Sequence, residues 1–158
     1  MCSGRRLAAI VLLSFMALAE ATAASLEWRR YAIPATGLSV DVPISIFEED
    51  GGATEEGALE RHLFTKDYRA NLTIKSFPNP DNVSPAAFLE KMRPPADIQY
   101  RRVTPKFFAV SGVRDGYTWY NRCNRATRFM NCVLINYPAA EERQWDATVT
   151  RISLSLAK

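Results

Sequence analysis

The stretch that decides the fold runs from Phe107 to Tyr137, FFAVSGVRDGYTWYNRCNRATRFMNCVLINY. Aromatic and β-branched residues dominate it, and these favour a pleated, half-buried surface over a helix. Asp115-Gly116 divides its first half, and a two-residue Asp-Gly loop is a strong short-range hairpin signal. The reading is three strands, Phe107–Val113, Tyr117–Cys123 and Met130–Tyr137. Cys123 and Cys132 flank the turn between the last two, so a hairpin there sets the two cysteines opposite each other. A further strand, Ile98–Thr104, precedes them across the turn at Thr104-Pro105.

Towards the amino terminus the same period-two pattern recurs. Leu38, Val40 and Val42 alternate with Ser39 and Asp41, bounded by Thr36-Gly37 and Pro43, and Trp28 to Phe47 as a whole holds two or three short strands. Two more strands are predicted around Leu59–Thr65 and Ala70–Phe77. Ser84-Pro85 opens a helix, with Ser as N-cap and Pro at the first helical position, where its missing N–H removes no bond. Phe88, Leu89 and Met92 turn inward, and Pro94-Pro95 ends the helix near Arg93. Trp145, Val149, Ile152 and Leu156 make one helical stripe near the carboxyl end, preceded by Glu141 and Glu142, whose charges suit a helix start. Strands outnumber helices and short turns join most of them. The fold class expected is α+β, a mainly antiparallel sheet with a middle helix and a C-terminal amphipathic helix packed on it.

The chain has 158 residues, about one domain's worth, with 47% hydrophobic and 23% charged residues, ordinary for a globular protein. Its first residues depart from that average. Arg5 and Arg6 precede a largely apolar run from Leu7 to Leu18, and Ala21-Thr22-Ala23 follows. A basic start, a short apolar core and an A-x-A site make a secretory signal peptide over residues 1–23, leaving 24–158 as a single α+β domain. The run falls short of the roughly 17–25 residues that span a bilayer, so no transmembrane segment is expected in the mature chain. Cys2 precedes the apolar run and is not placed as a lipoprotein cysteine. Cleavage leaves Cys123 and Cys132, an even pair in an oxidising compartment, and predicts a disulfide between them. Their spacing is not C-x-x-C, which argues against a redox-active pair. The expected location is periplasmic or secreted.

Three features together resemble the PsbP/Mog1-like α/β/α sandwich: the strand Thr36-Gly37-Leu38-Ser39-Val40-Asp41-Val42-Pro43 after an aromatic-bearing strand, the Ser-Pro helix after two strands, and the closing amphipathic helix with Trp145 and Ile152. The chain departs from that pattern in having Leu38 where an aromatic is common, and in its cysteine pair. Separately, Tyr120-Asn121-Arg122-Cys123-Asn124, and the run from Cys132 through Tyr137-Pro138-Ala139-Ala140 to Trp145-Asp146, resemble a group of uncharacterised exported proteins of alphaproteobacteria. The resemblance implies a periplasmic home and carries over no catalytic residue set.

Several chemistries are excluded or left without a signal. Losing residues 1–23 removes Arg5, Arg6 and Glu20 from 20 basic and 17 acidic residues, leaving a net charge near +2 with no general argument for nucleic acid. His62 is the only histidine, and no G-x-S-x-G turn accompanies it, so neither a Ser-His-Asp site nor a histidine metal site is indicated. The acids between Glu48 and Gly57 lack the spacing of a calcium loop and read as a solvated loop. No cofactor is expected. The basic residues Arg101, Arg102, Lys106, Arg122, Arg125 and Arg128 concentrate in the C-terminal meander, interleaved with Tyr100, Phe107, Tyr120 and Phe129. Guanidinium forks with flanking aromatics suit carboxylate or phosphate, so Arg101, Arg102, Arg122, Arg125, Arg128 and Tyr120 are the candidate partner-binding residues. Two functions follow: an exported non-enzymatic binding domain for an envelope protein or an anionic envelope component, or a periplasmic hydrolase of cell-wall or ester substrates, whose carboxylates could be any of Asp41, Glu60, Asp115 and Asp146. Mass spectrometry of the exported chain checks the reading. The expected mass starts at Ala24 or Ser25 and lies about 2 Da below that of the reduced form, the two hydrogens a disulfide gives up. A full-length, fully reduced mass would overturn it.

Overall fold

The structure, a computed structural model, describes residues 26–51 and 59–157. The proposed leader, Cys2 and most of the acidic stretch lie outside the described residues. In chain order the elements are β1 Trp28–Ile33, β2 Leu38–Pro43, β3 Phe47–Asp50, β4 Glu60–Thr65, β5 Asn71–Pro78, α1 Pro85–Met92, β6 Ile98–Val103, β7 Phe107–Arg114, β8 Tyr117–Arg125, β9 Phe129–Pro138 and α2 Glu142–Ser155. Strands β3 to β9 form one sheet in the order β3-β4-β5-β9-β8-β7-β6, and β1 pairs with β2 in a separate hairpin. Every pairing is antiparallel. The α+β class is as the alternating pattern predicts.

Local chemistry explains the joints. Asp115 and Gly116 both take positive φ, 50° and 79°, the backbone a tight primed hairpin turn demands. Ser84 caps α1 by accepting from the Ala87 N–H at 3.2 Å, with Pro85 behind it. The helix stops where Arg93 turns left-handed, φ 50°, ahead of Pro94. One expectation is corrected. Glu48 to Asp50 belong to β3, not to a loop. The reason is Phe47, buried with its ring 5.9 Å from that of Trp145, which draws the segment onto the sheet edge. Asp50 then meets Arg61 of the neighbouring strand at 3.2 Å.

The sheet is covered differently on its two faces. On one, the β1–β2 hairpin and α2 lie over β4, β5 and β9. Leu38, Val40 and Val42 meet Leu72, Ile74, Val133 and Ile135, with Trp145, Val149, Ile152 and Leu156 closing from the helix. Tyr137 stacks on Trp145 at 5.3 Å. On the other, α1 sets Phe88 and Leu89 against Phe108, Val110, Trp119 and Met130. Cys123 and Cys132 lie in this second core, paired across β8 and β9 with Sγ atoms 2.01 Å apart, at disulfide distance. Gly112 is forced by packing: a Cβ there would lie 2.2 Å from the Asp97 carbonyl and 2.9 Å from Trp119.

A buried polar triad ties the hairpin to the sheet. Thr36, in the turn between β1 and β2, shares a hydrogen bond with Ser76 Oγ at 2.7 Å. Ser76 donates to Asn131 Oδ1 at 2.8 Å, and Asn131 Nδ2 donates to the Thr36 carbonyl at 3.2 Å. Ser76 and Asn131 are fully buried, so each bond stands in for one to water. Asn131→Ala strips the Thr36 carbonyl and the Ser76 hydroxyl of a partner, and its expected effect is a loss of about 2–3 kcal/mol in urea unfolding. A loss under about 0.5 kcal/mol, the size of an ordinary surface substitution, would show that the triad does not hold the hairpin.

Candidate anion-binding cleft

Between α2 and the β6–β7–β8 half of the sheet lies a cleft of about 330 Å³. Its floor is the face of the sheet that α2 covers further along. The register places Tyr100 beside Ser111 and Tyr120, and Arg102 beside Ala109 and Arg122, in two rows across the three strands. Its wall is α2, which contributes Glu142, Asp146, Val149, Thr150, Ser153 and Leu154.

Phe107 organises the basic end. The Arg122 guanidinium carbon lies 4.3 Å from its ring centroid and that of Arg102 5.4 Å, so two cations share one aromatic ring. Arg122 is braced further: Nε donates to Asn124 Oδ1 at 3.1 Å and Nη1 to Ser153 Oγ at 3.4 Å. Tyr120 meets the same Ser153 Oγ at 2.6 Å. Among the described residues, Arg30, Arg61, Arg69, Arg114 and Arg151 have a carboxylate within 4.0 Å, whereas Arg29, Arg93, Arg101, Arg125, Arg128 and Arg143 have none. Among the described residues, no carboxylate stands that close to Arg102 or Arg122. Glu142 and Asp146, one turn apart on α2, line the cleft with Tyr137 and help to raise the Tyr137 pKa, although burial is the larger cause.

The candidate residues separate in space. Arg102, Arg122 and Tyr120 meet in the cleft, as do Tyr100 and Phe107. Arg101 pairs in register with Val110, so it belongs to the face that α1 packs on. Arg125 is held at the end of β8, Nε to Asn82 Oδ1 at 2.9 Å and Nη2 to the Asn82 carbonyl at 2.6 Å. Arg128 is exposed in the β8–β9 turn, beside a groove shared with Thr36 and Gly37. Ser153, Glu142 and Asp146 line the cleft, with Asn124 buried behind it against Arg122, and none of the four is among the predicted partner-binding residues. The two acids could have been found from their i, i+4 spacing, but Ser153 and Asn124 carry no sequence signal. His62 sits in a polar cross-strand ladder, Nδ1 to Thr73 Oγ1 at 3.0 Å and Nε2 to Glu60 Oε1 at 2.9 Å, with Lys75 on the same carboxyl group at 2.6 Å.

No family model matches the chain, and no curated protein matches its sequence. Solved structures do resemble it. The solution structure of cyanobacterial PsbP from Synechocystis superposes with a TM-score of 0.62 at 7% identity, covering 86% of this chain and 95% of that one. The crystal structure of the Ran-binding protein Mog1p from Saccharomyces cerevisiae superposes with a TM-score of 0.53 at 9% identity, covering 84% and 96%. The chain therefore has the PsbP/Mog1-like fold.

Burial pushes the Tyr120 hydroxyl above the ordinary tyrosine pKa, against the opposing pull of Ser153 and the Arg122 charge. A tyrosine is neutral in both folded and unfolded chains below its unfolded pKa. Above that value the unfolded chain loses its proton first, so the folded state loses stability as pH rises past about 10. Tyr120→Phe should flatten this alkaline decline in urea midpoints measured between about pH 9 and 11. An unchanged slope would mean that the hydroxyl is not held in the cleft as described.

Proposed function

We propose that this chain is exported, loses residues 1–23 and acts outside the cytoplasm as a non-enzymatic binding domain whose cleft takes an anionic group of its partner. The carrying observation is the pair Arg102 and Arg122, both set on Phe107 and neither matched by a carboxylate. An unmatched guanidinium pair on an aromatic platform is poised for a carboxylate or phosphate arriving from outside. Two further points support the reading. The leader-like amino terminus and the paired cysteines at disulfide distance suit an oxidising compartment. Mog1p, which shares the fold, is named for binding another protein, so the scaffold serves interaction there.

The test is calorimetric titration with citrate, a small tricarboxylate, at low ionic strength, where screening is weak. Arg122→Glu and Arg102→Glu should each weaken binding at least about fivefold, while Arg128→Glu, outside the cleft, changes it less than about twofold. Equal losses in all three variants, or no citrate binding by the unaltered chain, would reject the cleft as the binding site.

A further inference from the structure

The two arginines Arg101 and Arg102 follow one another on β6, so they point to opposite faces of the sheet. A single small anion in the cleft leaves Arg101 without a role. The position of the strand supplies one. β6 is the last strand of the sheet, and among the described residues it pairs with β7 alone. Four consecutive residues, Gln99 to Arg102, are exposed, so neither helix layer reaches this far: α1 rests on β7 and β8, and α2 on β2 and β9. Past a register shift between Ile98 and Tyr100, the regular edge from Tyr100 to Val103 therefore offers unpaired backbone groups among the described residues, flanked by an arginine on each face. Among the described residues neither Arg101 nor Arg102 has a carboxylate within 4.0 Å.

We propose that β6 is a strand-addition site for an acidic segment of a partner protein, bound extended along this edge. The proposal rests on the cleft being anion-binding and names the class of its partner. A strand added here lies about 4.8 Å from β6 and sends alternate side chains to the two faces. Acidic side chains on one face reach Arg102, at the rim of the cleft. Those on the other face reach Arg101. Backbone bonds along the edge supply the remaining affinity, and one arginine on each face selects for an acid on each side of the added strand. This accounts for a basic pair whose members share no face, and for Tyr100, 46% exposed on the face of Arg102, as a flat contact at the edge.

The probe is a fluorescein-labelled ten-residue peptide repeating Glu-Glu-Thr-Thr, whose adjacent acids face opposite sides of an extended strand, titrated by anisotropy at low ionic strength against the full mature chain. Binding is expected, with Arg101→Glu and Arg102→Glu each weakening it at least about tenfold. Peptides N-methylated at every second residue, one for each of the two alternating sets, separate strand addition from charge alone. One of the two should lose at least about tenfold in affinity, since only one set of amides faces β6. Backbone amides within residues 98–103 should slow in hydrogen exchange on binding. If both methylated peptides bind as well as the parent and those amides stay unchanged, strand addition is overturned while the citrate result still stands for the cleft. Failure of the peptide where citrate binds has the same meaning. Protection of residues 98–103 that rises with protein concentration without peptide would instead make a second copy the occupant and overturn the acidic partner. Loss of citrate binding as well removes both readings together.

Discussion

The carboxyl end of α2 is held at a single junction on which the rest of the molecule depends. A helix leaves its last carbonyl groups without partners, and here other elements satisfy them. Arg30 of β1 donates to the Ser155 carbonyl at 3.0 Å while also binding Asp41 and Ser39. Asn124 of β8 donates to the Leu156 carbonyl at 2.8 Å, and the Ala157 N–H donates to the Ser39 carbonyl at 2.8 Å. Ser155 Oγ accepts from the Asp41 N–H at 2.8 Å. One point thus joins the hairpin, the helix and the large sheet. Because the helix is fixed there, Ser153 is fixed over Tyr120 and Arg122, and the cleft acquires a wall.

The sheet is wider than its cover. Hairpin and α2 together shelter the β4–β5–β9 region on one face, and the short α1 shelters β7 and β8 on the other. Apolar residues follow this division: β9 reads as almost continuously buried, while β6 is exposed through its middle. A strand roofed on both faces can be apolar throughout, whereas one that outruns both layers must be polar to stay in water. The exposed edge follows from having, among the described residues, two α-helices and one hairpin to cover seven strands.

Charge is arranged along this same axis. The β3 end of the sheet carries Glu48 and Asp50, and the β6 end carries Arg101 and Arg102, so the near-neutral total hides a sheet with an acidic and a basic edge. Several basic residues elsewhere are already matched, Arg30 with Asp41, Arg69 with Glu141, Lys75 with Glu60. Of these, the more exposed pairs Arg30–Asp41 and Arg69–Glu141 add little stability. Unmatched cations also stand elsewhere among the described residues, Arg29 on β1, Lys91 on α1 and Arg143 on α2 for example; what sets Arg102 and Arg122 apart is that they share the Phe107 ring in one cleft.

Element positions were legible from residue spacing because they depend on local chemistry: Asp115-Gly116 favours a tight hairpin turn, Ser84-Pro85 starts a helix, and Trp145, Val149 and Ile152 share a face at the α-helical period of 3.6 residues. The opposition of Cys123 and Cys132 was legible for the same reason, since a hairpin turn sets its own register. β3 was not, because its acids describe a loop and only the distant ring of Trp145 draws Phe47 inward. The candidate site was half legible. Six cationic and aromatic positions could be picked out as a cluster in the chain, but alternation along strands sends neighbours to opposite faces, and Arg101, Arg125 and Arg128 leave the cleft that Arg102 and Arg122 share. The sequence alone determined which residues could attract an anion. Which of them do so together depended on strand order, on register and on where α2 ends, and those are set by contacts between segments up to 125 residues apart, such as Arg30 with Ser155.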